Sequence, residues 1–233
     1  MNFKTYLVGG AVRDELLGLP CKDLDYIVIA PSFAAMRQGL IEDGCSIFVE
    51  KPEYLTIRAK HPKLGCVDFA CARTDGIYSD GRRPDSTGIA TDIVQDLSRR
   101  DFTVGAMARD IETNELIDPF NGQKDLANRV LRAVGNPNDR LMEDKLRAFR
   151  ALRFSVTKEL SIEDSLSFAI KQLPREEFDN VSSERVREEL FKMFSCDTYA
   201  SMYLLFNVYL NLWDVAAEKG VWLKPTLEFL FSL

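Results

Sequence analysis

Two aspartates one residue apart, Asp23 and Asp25, open an apolar run, Tyr26-Ile27-Val28-Ile29-Ala30. In a strand, alternate side chains point the same way with their Cα atoms roughly 6–7 Å apart, so both carboxylates aim at one point. Like charges held that close repel, and without a partner one of them tends to stay protonated. A pair of divalent cations about 3.5–4 Å apart removes the repulsion and makes a phosphoryl-transfer centre. The plainer alternative is a strand-entry turn, where aspartate is common because its side chain bonds nearby backbone. On its own, the spacing favours the turn.

The preceding residues shift that balance. Tyr6-Leu7-Val8 reads as a short buried strand broken by Gly9-Gly10, and Ala11–Leu17 reads as a helix closed by Gly18 and Pro20. Strand, glycine turn and helix start together make a phosphate cradle. Bare backbone lets the anion approach, helix amides point at it, and Arg13 adds charge. The alternative is an ordinary tight turn in which Arg13 pairs with Asp14 or Glu15.

A second constellation lies further on. Asp144, Arg147, Arg150 and Arg153 recur three residues apart, a stripe winding along one side of a helix, with Leu146, Phe149 and Leu152 facing packing. Residues 129–153 hold seven basic against three acidic side chains, a local excess of +4. Such runs are often solvated faces laced by i,i+3 ion pairs. Arginine also forks onto phosphates and never loses its charge, so a stripe headed by one aspartate is a candidate binding surface.

The elements that must position these groups change character along the chain. The 233 residues are 46% hydrophobic and 28% charged, an ordinary globular profile with material for a sizeable core. A net charge of −6 excludes polyanion binding by the whole surface, so any nucleic-acid contact must be local. Five cysteines without a CxxC pair and a single histidine, His61, argue against zinc and for a reducing compartment. No leader or membrane-spanning run is recognised, which gives a cytoplasmic expectation with no membrane partner. Strands are expected at Lys4–Val8, Leu24–Ala30, Cys45–Glu50, Tyr54–Lys60 and Cys66–Ala72, with a helix at Ser32–Gly44. His61 is expected in the tip of a hairpin. Thr74–Thr91, with Arg82-Arg83-Pro84 at its centre, reads as a functional loop. Helices are expected at Arg140–Val156, Ile162–Gln172, Ser183–Phe194 and Thr198–Glu218, with a boundary around Gly135–Asn138.

Taken together, YLVGGAVRD with DLDY, RTDGIYSDGRRP, QDLSRRDFT, IDPFNGQKDL with VLRAVGNPNDR, EDKLRAFRALRF and SSERVREEL resemble the class II tRNA nucleotidyltransferases. These are the CCA-adding enzymes and related bacterial poly(A) polymerases of the DNA polymerase β superfamily. The segments occur in the family's order over roughly residues 5–190. The resemblance implies an α+β fold: a polymerase β-like head with a mixed sheet (1–137), an all-helical neck that recognises the base (138–196), and a short helical body (197–233). It implies Mg²⁺-dependent addition of C and A from CTP and ATP to the tRNA 3′ end, releasing pyrophosphate. Asp23 and Asp25 would bind the metal, and Asp68 matches a third superfamily carboxylate. Gly9, Gly10, Arg13 and Arg100 would hold the triphosphate. Asp144 and Arg147 match the base-reading pair, with Arg150 and Arg153 near base and phosphates.

The base-reading role has a physical basis. Cytosine and adenine both offer an amino donor beside a ring-nitrogen acceptor, matched by an aspartate that accepts and an arginine that donates. Guanine and uracil present N–H where the arginine also donates, leaving buried donors unpaired. Departures from the family pattern are Gly105 for a common asparagine, Lys145 for a frequent proline and Asn121 for a glycine. Family members usually continue into body and tail domains that grip tRNA, whereas this sequence stops at Leu233. Trp213 and Trp222 are accordingly expected to cap a shortened body. The expectation is a small RNA footprint, or a homodimer in which a second copy, docked through the C-terminal helices, supplies the grip. The alternatives are a narrower activity (CC addition, A addition or poly(A) addition) and a non-catalytic RNA- or nucleotide-binding remnant.

Overall fold

Short apolar strands at the centre and alternating strands beside them build the first part of the chain into a mixed sheet. The computed structural model describes residues 2–21, 24–76 and 86–221. They fall into two units, residues up to 136 and residues from 137 on. The first contains β1 (Thr5–Val8), α1 (Gly10–Leu16), β2 (Asp25–Val28), α2 (Phe33–Glu42), β3 (Ser46–Lys51), β4 (Thr56–His61) and β5 (Gly65–Cys71). There follow β6 (Arg73–Asp75), β7 (Thr87–Ile89), α3 (Ile93–Ser98), β8 (Ala108–Asp110), β9 (Leu116–Ile117) and α4 (Gly122–Ala127). The main sheet runs β3-β4-β5-β2-β1-β8-β9. β2 and β5 are parallel, and the other neighbours are antiparallel.

Each face of this sheet has its own core. On one, Tyr26, Val28, Ile57, Ala59, Val67, Phe69 and Cys71 pack with Met36 and Leu40 of α2. On the other, Tyr6, Val8 and Ile27 pack with Ile93 and Leu97 of α3. Because side chains alternate, Asp25 shares the second face with Ile27, and Asp68 shares it with Ala70. Beyond Asp25, that face is apolar over β1 and β2. Over β4 it carries the exposed Arg58 and Lys60 instead.

Several expectations are corrected. His61 is the last residue of β4, not a loop tip; it is buried, and its Nδ1 accepts from the amides of Lys63 and Leu64 at 3.1 and 3.2 Å. Burial lowers its pKa, consistent with a neutral ring that accepts at Nδ1. The stretch expected to be a loop from Thr74 begins and ends in a ladder, β6 paired with β7; Arg82, Arg83 and Pro84 lie outside the described residues.

The IDPFNGQKDL segment is structural. Asp118 accepts from the amides of Gly122 and Gln123 at the start of α4, and Asn121 adopts φ 59°, which asparagine tolerates almost as glycine does. At Gly122 a Cβ would lie 2.2 Å from the Thr103 carbonyl oxygen, an impossible contact with backbone. The Gly122→Ala variant is expected to lose about 3 kcal/mol of stability, the upper end of overpacking costs, measured by urea denaturation.

The second unit is helical: α5 (Pro137–Glu143), α6 (Leu146–Thr157), α7 (Asp164–Gln172), α8 (Ser183–Cys196), α9 (Thr198–Tyr203) and α10 (Leu210–Glu218). Leu146, Phe149 and Leu152 are buried, α6 packs on α8, and Phe149 meets Phe178 edge-on at 5.8 Å. Two helices read as continuous are broken. The first breaks at Asp144, whose Oδ1 accepts from the Leu146 amide and so starts α6 afresh. The second breaks where the Tyr209 amide bonds the Leu204 carbonyl, a π-turn that leaves Tyr209 in non-helical geometry, its hydroxyl 2.9 Å from Ser167 Oγ. Trp222 lies outside the described residues. Among those residues no helix is long and apolar enough to cross a membrane.

Candidate active site

Strand register assembles the carboxylates. Asp25 opens β2 and lies beside Asp68 of β5 in the parallel pairing; Asp68 in turn lies across from Arg58 of β4. Continuing the β1–β2 register by one residue brings Asp25 opposite Val8, next to Gly9. One row therefore crosses the sheet from the Gly9 corner through Asp25 and Asp68 to Arg58. Asp25, Asp68, Arg58, Thr56, Val49 and Lys51 line an open cleft of about 390 Å³. Asp23 lies outside the described residues, among which no cluster of three or more Asp, Glu, His or Cys side chains forms a metal cage.

The Gly9 corner is held by a buried ion network. Gly9 has φ 66°, a conformation that disfavours any side chain, and a Cβ there would sit 2.7 Å from Arg100 Nη1. The guanidinium thus reaches bare backbone end-on, through Nη1. Its Nη1 donates to the Gly105 carbonyl at 3.2 Å and its Nη2 to Asp96 Oδ2 at 3.1 Å; Nε is buried with no acceptor among the described residues. Asp96 is fully buried and also receives Arg99, at 2.6 Å. Burial alone would raise the Asp96 pKa, but the Arg99 and Arg100 charges and the hydrogen bonds from Arg99 and the Arg73 amide outweigh it and hold the pKa low. Arg13 is buried too, 2.8 Å from Asp14, so the local pairing expected of an ordinary turn is present.

In the second unit the arginine stripe is tied down on α6 and α8. Asp144 Oδ2 accepts from Arg185 at 2.7 Å. Arg147 Nη1 donates to the Arg140 carbonyl at 2.9 Å and to Glu143 at 2.5 Å. Arg150 and Arg153 both pair with buried Glu189, and the Arg153 guanidinium lies 4.1 Å from the Phe154 ring centroid. Asp144 and Arg147 thus have separate anchors.

Residues 5–132 match the poly A polymerase head domain, more than half of the chain. The chain belongs to the poly A polymerase head-domain family. Among curated relatives, the CCA-adding enzyme of Geobacillus thermodenitrificans is 36% identical over 98% of this chain and 55% of its own length. That of Streptococcus thermophilus is 40% identical over 70% of this chain and 39% of its length. A solved structure of a Bacillus stearothermophilus CCA-adding enzyme in complex with CTP has TM-score 0.74 and 30% identity, covering 86% of this chain and 47% of that one. A Thermotoga maritima CCA-adding enzyme complexed with tRNA has TM-score 0.69 and 26% identity, over 89% and 47%. The chain spans about half the length of the relatives it matches. The fold is the nucleotidyltransferase head with a mixed sheet, followed by helices.

The departures from the family pattern are each accommodated locally. Gly105 contributes its carbonyl to Arg100, and a Cβ there would meet Asp101 at an ordinary 3.7 Å. Lys145 is buried, with its amine on the Met142 carbonyl and on Glu177. Sequence reasoning missed Asp96, which lies inside the quoted QDLSRRDFT segment. The available signal was an aspartate at i−3 and i−4 from two arginines on a helix otherwise apolar on that side. Asp96→Asn is expected to cost about 3 kcal/mol, since it leaves two arginines beside an uncharged group. The sign follows from the lowered pKa. The native contribution is present above the ordinary aspartate pKa and lost as pH falls through the depressed one, so the variant's stability should fall less between pH 5 and pH 2 than the wild type's. Denaturation at a series of pH values checks it.

Proposed function

We propose that this chain is a template-independent nucleotidyltransferase that adds C and A from CTP and ATP to the 3′ end of tRNA, releasing pyrophosphate. The observation that carries the reading is the Asp25–Asp68 register beside the Gly9–Arg100 corner. The family match and relatives named as CCA-adding enzymes support it. A cytoplasmic setting goes with the reading and with the five free thiols.

Asp25, with Asp68 beside it and Asp23 two residues earlier in the sequence, would hold Mg²⁺. A set of hard carboxylate oxygens suits that ion, which takes one or two carboxylates and completes its shell with substrate phosphates and water. Held there, the ion would supply Lewis acidity, favouring the ionised form of the attacking hydroxyl and offsetting charge on the departing pyrophosphate. The chain's own part is positioning. The Gly9-Gly10 backbone admits the triphosphate closely, and Arg100, fixed by Asp96, supplies N–H donors and charge to it. α1 has only seven residues, so bare backbone and Arg100 matter more than a helix dipole. In the second unit Asp144 and Arg147 read the base, held by Arg185 and Glu143, while Arg150 and Arg153 contribute positive charge for base and phosphates.

The test is incubation with Mg²⁺, a tRNA lacking its 3′ CCA, and each labelled nucleotide in turn. C and A should be incorporated, and U and G should not. Incorporation of all four, or of none, overturns the proposal. C alone or A alone narrows it to a partial activity of the same chemistry.

A further inference from the structure

Arg58 stands one strand beyond the carboxylates and has no part in the reading above. It faces Asp68 across the β4–β5 ladder, with a nitrogen–oxygen distance of 3.8 Å, and its side chain is 59% exposed. A pair that long and that wet contributes little to stability. Lys51 lines the same cleft from β3, across from Thr56 on the row next to Arg58. Among the described residues Lys51 has no ion-pair partner. The sheet face therefore passes from paired carboxylates to two cations whose charge the fold scarcely uses.

Strand order says what lies where. The Gly9–Arg100 corner belongs to the β1 side of Asp25, and Arg58 and Lys51 belong to the β4–β3 side of Asp68. With strands about 4.8 Å apart, the β1 corner and the Arg58 strand are separated by three spacings, about 14 Å. In-line displacement puts the attacking and leaving oxygens on opposite sides of the phosphorus. A pyrophosphate leaving toward the β1 corner leaves the β4–β3 side for the strand that carries the attacking hydroxyl.

We propose that Arg58 and Lys51 grip the terminal phosphodiester of the RNA being extended, one nucleotide behind its reacting 3′ hydroxyl. This rests on the proposed reaction. Arg58 exchanges its stretched contact with Asp68 for the RNA phosphate, which frees the Asp68 carboxylate as the acceptor strand arrives. The interaction is with backbone, so it is indifferent to the terminal base, as successive additions to one end require.

The experiment uses the full chain with tRNA lacking its 3′ end. It compares wild type with Arg58→Ala, Lys51→Ala, the double variant and Arg58→Lys over a range of salt concentrations. Each alanine change should raise the KM for RNA about tenfold and leave the KM for CTP within twofold. The slope of log KM for RNA against log salt should fall by about 0.7 per lost contact. Arg58→Lys should keep most of the slope. Arg58→Gln, which keeps part of the stem over the sheet, replaces the alanine variant if that one melts early. Unchanged RNA KM and salt slope would overturn the assignment. So would a raised CTP KM, which would put the triphosphate on this side, or a raised Mg²⁺ requirement with RNA KM unmoved, which would make Arg58 a partner of Asp68 alone. Wild type that incorporates no nucleotide overturns the reaction itself; active wild type with unaffected variants overturns only the grip.

Discussion

Asp25→Ala is expected to cut nucleotide addition by about 10³-fold or more while leaving the fold intact. The magnitude follows from the several kcal/mol that a metal supplies to a developing phosphoryl transition state, at 1.36 kcal/mol per tenfold. Stability should be spared because Asp25 is exposed at the start of β2, and removing one of two neighbouring carboxylates relieves repulsion with Asp68. Single-turnover incorporation of labelled CMP, with circular dichroism melting on the same sample, measures both. Asp68→Ala provides the internal comparison, since it also removes the partner of Arg58. Near-normal turnover in Asp25→Ala would remove the carboxylates from the chemistry altogether.

What the residues alone reveal here depends on the range of the forces involved. β4 and β5 are legible because their side chains alternate, β1 and β2 as short apolar runs, and α2 because Ser32 caps it, accepting from the Ala35 amide. β6, β7, β8 and β9 are two or three residues long, too short for a period to register. The Asp23–Asp25 spacing is a local signal, carried by neighbouring residues alone. The neighbour relation of Asp25 and Asp68 belongs to a parallel ladder joining strands about forty residues apart, which no local pattern contains. Arg58 is invisible for the same reason: only strand order sets it beside the carboxylates. Asp96 is hidden in the sequence because charged residues are rarely fully buried, and only its arginine partners explain why this one is. The break at Asp144 shows the converse. An aspartate inside an apolar period looked like part of a stripe, but its side chain bonds the backbone ahead of it and begins a new helix.

That break bears on the second large effect, since it makes Asp144 both a cap and the proposed base reader. Asp144→Ala should lose about 1 kcal/mol from the cap, and somewhat more through its pair with Arg185. A purely structural role lowers incorporation of all four nucleotides together. A base-reading role changes their ratio, because the carboxylate accepts the amino group that cytosine and adenine share and that uracil lacks. Sites built on such hydrogen bonds discriminate by 10⁴ or more, so loss of the acceptor should shrink the preference for C and A over U and G by about 10²-fold. Affinity for the triphosphate portion should be spared, since Gly9 and Arg100, the groups proposed to hold it, belong to the other unit. Asp144→Asn separates the two roles further. It keeps an oxygen able to cap Leu146 but exchanges an acceptor for an amide donor, so stability should largely recover while base choice stays impaired. The measurement is kcat/KM for each of the four nucleotides with wild type and both variants. An even drop across all four, restored by asparagine, would reduce Asp144 to a helix cap and leave base selection to other groups.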